Sequence, residues 1–489
     1  MMRFAAILSC AIPLAAAENW PQFRGPDGKG VSAGKPPVEF GPDKAMLWKT
    51  AVSFGQSSPS IWGDRIFVTS ATRTGKDLTV AAYHRQTGKQ IWTQAIPVEK
   101  MERTHEVASP ASATVLADSE RIYVYFGSVG LLCLDHDGKQ LWSVKLPLPE
   151  KPQGSGTSPV LGGDSILLNR DDPAEAYLLA LDRSTGRQVW KQPYEMAGKG
   201  PGSANTSTPA VAGDEVVVHR TGEVAGFNLK TGERRWFVKL PTSGVATPVV
   251  MEQTVFVSGW NNMGEPELRI PLPTWDELLK GDKNADGALT VDEMPPKLDI
   301  SRRPDVNLAG SQVSLGAKAV FPGIDIDKDG KLTKEEWEKI LAIVNSQAEH
   351  GLVAIKLGGA GDITASHVLW KHSRNVAEVP TPVIYNGRVY MVTNGGILTC
   401  NDAKTGKVLY RGRLGAPGAY FASPIAANGN VYFASGEGVV TVVRDGDTLE
   451  VLARNNLHDP IQATPAVVGN ALYVRTTSHL YAFADASVN

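Results

Sequence analysis

Apolar residues in this chain come in short, strand-length runs separated by turn residues, and the runs repeat as a unit. Each unit opens with a Ser-Pro or Thr-Pro step and a brief apolar run. A Gly, Asp or Asn pair turns the chain into a Val/Ile/Tyr-rich run, as in residues 66–69 after Gly63 and Asp64, and residues 389–392 after Asn386 and Gly387. The prolines Pro59, Pro110, Pro159, Pro209, Pro248, Pro382, Pro424 and Pro465 mark eight such starts. A third run then ends in a tight turn, and an aromatic opens a fourth. Asp182, Thr185, Gly186 and Trp190 set this cadence, which returns at residues 82–92, 134–142, 226–236 and, more weakly, 400–410. Asp or Asn starts the turn by bonding its own backbone, and Gly takes the left-handed conformation. A fixed-period strand-turn-strand unit predicts an all-β, eight-bladed propeller of four-stranded antiparallel blades.

The closing-strand aromatics fall at Trp48, Trp92, Trp142, Trp190, Trp236, Trp370 and Tyr410, with Leu452 standing in for the seventh unit. Trp48 precedes the first proline marker, and the last unit runs out of chain before any fourth strand. The N-terminal strand near residues 47–50 is therefore expected to complete the last blade and hide the edges of an open ring. Between Trp236 and Trp370 the spacing breaks, and roughly 90 residues are inserted into blade five between residues 254–259 and 352–357. The expected organisation is a signal peptide at 1–17, blades one to five at 18–261, the insert at 262–350 and the remaining blades at 351–489. Helical stretches are expected at residues 274–280 and 334–348.

The insert contains two twelve-residue acidic loops that look like EF-hands. Calcium takes six to eight hard oxygen ligands, and positions 1, 3, 5 and 12 supply side-chain oxygens, position 7 a backbone carbonyl, and position 6 a Gly for the turn. In the first loop these are Asp282, Asn284, Asp286, Glu293, Ala288 and Gly287; in the second, Asp325, Asp327, Asp329, Glu336, Lys331 and Gly330. Thr290 and Thr333 occupy position 9, and Leu289 and Leu332 are placed to pair across the loops. Two Ca2+ ions are expected, the second loop binding tighter because its ligands carry more negative charge. Pro295 and Pro296 should cut short the first exiting helix, and Pro322 with Gly323 should interrupt the second entering one. Short helices cannot swing open a wide groove, so a structural clip is expected rather than a switch.

Composition and charge narrow the function. A net charge of -2 with no basic cluster argues against nucleic acid as a partner. Residues 1–17 combine Arg3, an apolar run and Ala15 to Ala17 before Glu18, which reads as a secretory signal. The protein is expected to be exported, periplasmic or secreted, with lipid anchoring at Cys10 the weaker reading. No other run is long and apolar enough to span a bilayer. Cleavage leaves Cys133 and Cys400, expected as buried small side chains rather than a disulfide. A monomer is expected.

With eight repeats and the Asp-x-x-Thr-Gly-x-x-x-Trp cadence, the chain resembles the pyrroloquinoline-quinone-like propellers. That resemblance covers the mature chain outside the insert, and residues 19–26 resemble the start of secreted bacterial members. It implies either a non-catalytic binding or scaffolding module or a quinone-dependent oxidoreductase. The chain lacks an adjacent Cys pair and a Cys-x-x-Cys-His, which leaves pyrroloquinoline quinone the weaker cofactor reading. In a blade the loop after the second strand emerges beside the inter-blade connections. The insert should therefore stand at one mouth of the ring, where an unidentified protein or small-molecule ligand would bind. Polar residues expected to rim that mouth are His105, Glu106, Arg170, Asp171, Asp172, Asn205, His458, Asp459 and Gln462, read as solvated loop residues, with an Asp/Arg/His grouping for general-base chemistry as the alternative. Trp260, Asn261 and Asn262 lead into the insert. Catalytic residues are not identifiable from the sequence.

Overall fold

The computed structural model describes residues 19–72, 77–105, 107–151, 153–172, 175–194, 205–261, 265–302, 312–346 and 350–485. The expected signal segment, Glu106 and Asn262 lie outside them. Eight antiparallel sheets form the ring; blade 1, for example, comprises Ser60–Trp62, Arg65–Ala71, Leu78–His84 and Gln90–Ile96 in that order outward. The second and third strands are apolar on both faces because each is sandwiched between neighbouring blades, as in Arg121–Phe126 and Gly130–Asp135. Outermost strands such as Gln140–Lys145 alternate exposed and half-buried residues, as a one-sided surface strand should.

Closure is as expected. Met46–Ala51 pairs antiparallel with His479–Phe483, completing the blade of Ala466–Val468 and Ala471–Arg475. Two blades carry a fifth strand that the repeat does not announce. Val31–Ser32 adds parallel to the innermost strand of blade 7, and Gly361–Asp362 adds parallel to the outermost strand of blade 4.

One device recurs in all eight blades. The pairing of third and fourth strands slips by one residue at the closing aromatic, and the extra residue is Leu47, Ile91, Leu141, Val189, Arg235, Leu369, Leu409 or Leu452. Such a bulge turns the next side chain toward the neighbouring blade. Blade 7 therefore places Ala453, not Leu452, at the aromatic position. Trp48, Trp92, Trp142, Trp190 and Trp370 each donate from Nε1 to a backbone carbonyl of the next blade: Arg85, His136, Arg183, Leu229 and Ala403. Each ring lies on the turn glycine of that blade, Gly88, Gly138, Gly186, Gly232 or Gly406, where a Cβ would come within 2.4 to 2.9 Å of it. Trp236 departs from the pattern, because blade 5 replaces the Thr-Gly turn with residues 357–367. Its ring turns inward over Gly226 and its Nε1 donates to Glu215 instead. Cys133 and Cys400 are buried and unbridged, as expected.

The insert leaves between Thr254–Gly259 and Gly351–Lys356. It packs its own small core of Trp275, Leu278, Leu289, Phe321, Leu332 and Trp337. Residues 291–294 form only a turn before Lys297–Arg302, in keeping with Pro295 and Pro296. The helix Ala317–Ile324, however, runs through Pro322 without interruption. Only the acceptor of Lys318 loses its i+4 donor, and that residue is exposed to water. A two-stranded sheet of Lys297–Arg302 and Gln312–Gly316 was not legible in the sequence. The helix Lys334–Ser346 lies where a helix was expected.

Candidate functional site

The Ser-Pro and Thr-Pro steps meet at one mouth of the ring and hydrogen-bond in a circle. The N–H of Ser58 donates to the Thr114 hydroxyl, Thr114 to Ser158, Ser158 to Thr208, and Thr208 to Thr247. From there Thr247 donates to Thr381, Thr381 to Ser423, Ser423 to Thr464, and Thr464 back to Ser58, every distance lying between 2.9 and 3.3 Å. An inner strand starting there has a backbone N–H with no partner in its own blade, and the neighbour's hydroxyl satisfies it. The circle also corrects the second marker. Thr114, not the residue before Pro110, holds the equivalent place, and Pro110 lies in the preceding loop.

The N-terminal segment crosses the bore below this circle. Trp20 bridges to Ile61 of blade 1, and the Pro21 carbonyl accepts from Ala117 of blade 2. On the far side, the fully buried Arg24 guanidinium donates to the carbonyls of Thr381, Pro382 and Pro424 at 3.1, 2.8 and 3.1 Å. Phe23, between these anchors, borders both a mouth cavity of about 500 Å³ and a second cavity of about 910 Å³ on the other side. Residues 20–32 thus plug the channel and make the mouth a blind pocket. All eight blades contribute to it, with Gln56, His105, Gln153, Trp260, Glu378, Phe421 and Gln462 among its walls.

Of the residues expected at the rim, His105 and Gln462 line this pocket, Gln462 accepting from Gln56 at 2.6 Å. His458 is exposed in a left-handed conformation, and Asp459 accepts from Thr476, Ser478 and His479. Arg170, Asp171, Asp172 and Asn205 are not solvated; all four are buried behind the pocket wall between blades 3 and 4. There the Lys151 ammonium donates to the Asn205 and Asp171 carbonyls, the Asp172 carboxylate accepts from the N–H groups of Glu150 and Lys151, and Asn205 donates to Asp171. Sequence alone cannot tell a loop that faces water from one folded under its neighbours.

Glu102 belongs to the same layer, against Gly127 and Ser155. Burial pushes its carboxyl up to about 7, with Ser155, Lys151 and Arg170 opposing. Such a group weakens the fold as it ionises, so its contribution to stability is retained below the ordinary carboxylate range and lost as pH rises through about 7. A rise of that size corresponds to roughly 3 kcal/mol. Glu102→Gln is expected to raise the melting temperature at pH 8 and to flatten its dependence between pH 4.5 and 7. A lower melting temperature for the variant at pH 8 would contradict this.

The insert's stem is fastened at the mouth. Trp260 bridges to Ser243, Asn261 donates to Pro241, and Glu265 and Glu267 pair with Asn375 and Arg374 on the connection between blades 5 and 6. In the insert the two acidic loops run side by side, joined by reciprocal hydrogen bonds between Leu289 and Leu332 at 3.0 and 2.7 Å. Asp282 and Asp325 accept from the N–H of Gly287 and Gly330, and Glu293 and Glu336 accept from Thr290 and Thr333. In the second loop, oxygens of Asp325, Asp327 and Glu336 lie within 4.8 Å of one another, the only such group among the described residues. Asp325 is 6% exposed, yet its Oδ1 has no hydrogen-bond partner. Hard oxygens converging on an unpaired buried carboxylate suit a divalent cation.

A family model described as Outer membrane protein assembly factor BamB matches residues 76–284 and 359–487. The chain belongs to that family. The match leaves out residues 285–358, which hold the second acidic loop. Outer membrane protein assembly factor BamB of Burkholderia pseudomallei (strain K96243) is 25% identical over 229 residues, 45% of this chain and 55% of that one. The chain thus spans about half the length of this curated BamB. The solved BamB of Moraxella catarrhalis superposes with a TM-score of 0.52 at 13% identity, covering 90% of this chain and 99% of that one. A quinohemoprotein alcohol dehydrogenase from Comamonas testosteroni reaches 0.55 at 10% identity, covering 96% and 81%. At these identities the solved structures share the fold with this BamB-family chain, nothing finer.

The dehydrogenase likeness makes a quinone worth testing against the pocket. Pyrroloquinoline quinone is a tricarboxylate, and burying three negative charges requires cationic partners. The described residues lining the mouth include no Lys or Arg, and Arg24 beneath them is spent on carbonyls. The described lining does not fit that group. Among the described residues, no helix is long and apolar enough to cross a membrane.

Proposed function

We propose that this chain is an exported binding module whose ligand or partner seats in the blind mouth of the propeller, with calcium ordering the insert that guards it. The observation that carries the reading is the pocket itself: eight blades, a floor supplied by Phe23 and a wall supplied by Trp260 at the root of the insert. Loops gathered at a propeller mouth are well placed to bind. The lining of hydroxyls, amides and aromatic rings, with the carboxylate of Glu378 and no Lys or Arg among its described residues, disfavours an anion. The family's description as an outer membrane protein assembly factor supports a protein partner on the periplasmic side of that membrane. Asp282, Asn284, Asp286 and Glu293 would hold one ion, and Asp325, Asp327, Asp329 and Glu336 another. Backbone carbonyls of Ala288 and Lys331 would complete them. Calcium would supply no chemistry beyond fixing the loops, a coupling of ion binding to local folding.

Site-specific photocrosslinking in the host cell tests this. A photoreactive residue at Val107 or Gln153 on the mouth is expected to give discrete adducts, and one at Leu141 on the outer rim none. Replacing residues 263–349 with a Gly/Ser linker should leave the propeller folded and abolish the mouth adducts. Adducts from the outer rim alone, or mouth adducts that survive the replacement, would move the site away from the insert.

A further inference from the structure

The two acidic loops are unequal in ligand charge, and one side chain of the second reaches into the first. Lys331 stands at position 7 of the second loop, where only its backbone carbonyl faces the loop interior, so its side chain is free to leave. It crosses to the first loop, and its Nζ lies 2.7 Å from Oδ2 of Asp286. The Leu289 and Leu332 backbones, bonded to each other in both directions, hold the loops at the separation this reach needs. Asp286 occupies position 5, one of the side-chain ligand places. Asp325, Asp327 and Glu336 gather in the second loop, whereas in the first Asp286 is paired with Lys331. The first loop also has the neutral Asn284 where the second has Asp327.

We propose that the Lys331 ammonium is a tethered cation filling the first loop, so that the insert takes one calcium ion at its second loop and admits another only by expelling Lys331. This rests on reading both loops as calcium sites. A divalent ion ligated by Asp286 would sit within a few ångströms of the ammonium, and like charges at that range repel strongly enough to cost about tenfold in affinity. The ion pair is half-exposed, with side chains 47% and 33% accessible, so the ammonium can leave. Its departure gives up only a modest attraction. The first loop is therefore weakened rather than abolished, and the insert behaves as a single-ion clip until calcium is concentrated enough to expel Lys331.

Calorimetry with calcium chloride on the full mature chain should find one tight site and a second at least tenfold weaker. Lys331→Met should bring the weaker site up about tenfold and leave the tighter within threefold, because the second-loop ligand at position 7 is backbone. Lys331→Arg keeps the cation and should keep the inequality. Glu336→Gln should remove the tight site, whereas Glu293→Gln should leave it. Two equal sites in the native chain, or no response to Lys331→Met, would overturn the tethered-cation proposal while the calcium reading stands. Absence of calcium binding to every form at millimolar concentration would overturn both.

Discussion

Removal of residues 19–51 is expected to yield an insoluble protein, and Trp48→Ala alone a soluble one that melts several degrees lower. The deleted stretch supplies the outermost strand of blade 8, whose pairing with His479–Phe483 otherwise leaves a row of unpaired backbone groups. Trp48 also locks blade 8 to blade 1: its ring covers Gly88, its Nε1 donates to the Arg85 carbonyl at 2.9 Å, and Thr50 donates to the Gly88 carbonyl at 2.7 Å. Truncating a buried Trp costs about 3 to 5 kcal/mol. In a ring closed by non-covalent strand addition, that loss loosens the strand that joins the two ends of the chain. Thermal scans with light scattering check both variants. Unchanged solubility and melting would mean that the last blade is closed by some other contact.

Arg24→Met should be nearly as damaging, although it replaces a charged side chain with an apolar one of similar length. The guanidinium is completely buried and has no carboxylate partner. All five of its N–H groups donate to carbonyls, those of Gly28 and Lys29 in its own segment and those of Thr381, Pro382 and Pro424 across the bore. Burial pushes its pKa down to about 9, still above neutrality, so the group keeps its charge. Methionine would leave those acceptors unmatched in a dry site, a loss of about 3 to 5 kcal/mol. Lysine should not rescue it, having three donors and no planar fork. The plug should then become susceptible to protease near residues 26–30, and the pocket should lose its Phe23 floor. Limited proteolysis and thermal melting read the two effects. A variant as resistant and as stable as the native chain would show that the plug is held by Trp20 and Val31 alone.

The repeating unit was legible because everything that makes a blade is local. An Asp or Asn starting a turn, a glycine with positive φ and an aromatic four residues later act within one hairpin, so they recur in the sequence at the period of the structure. Counting the units also exposed the missing fourth strand, and so the return of the N-terminus to the last blade. The insert declared itself by breaking that period, and its acidic loops by a spacing of carboxylates that a single twelve-residue stretch contains.

Only the tertiary structure decided what depends on residues far apart in the chain. The Ser and Thr before the inner strands, Thr114 excepted, were visible as markers, but their hydroxyl circle exists only once the ring is closed and each N–H finds the next blade. Nothing local marks Arg24, whose partners across the bore lie more than 350 positions away. Arg170, Asp171, Asp172 and Asn205 had the composition of a solvated rim, yet all four are buried, with Asn205 donating to Asp171, Asp172 accepting from backbone N–H groups and the Lys151 ammonium beside them. Lys331 was counted for its carbonyl alone, since its side chain meets Asp286 only because Leu289 and Leu332 zip the loops together. A local pattern specifies an element; a charge's role is set by whichever neighbours the fold brings to it.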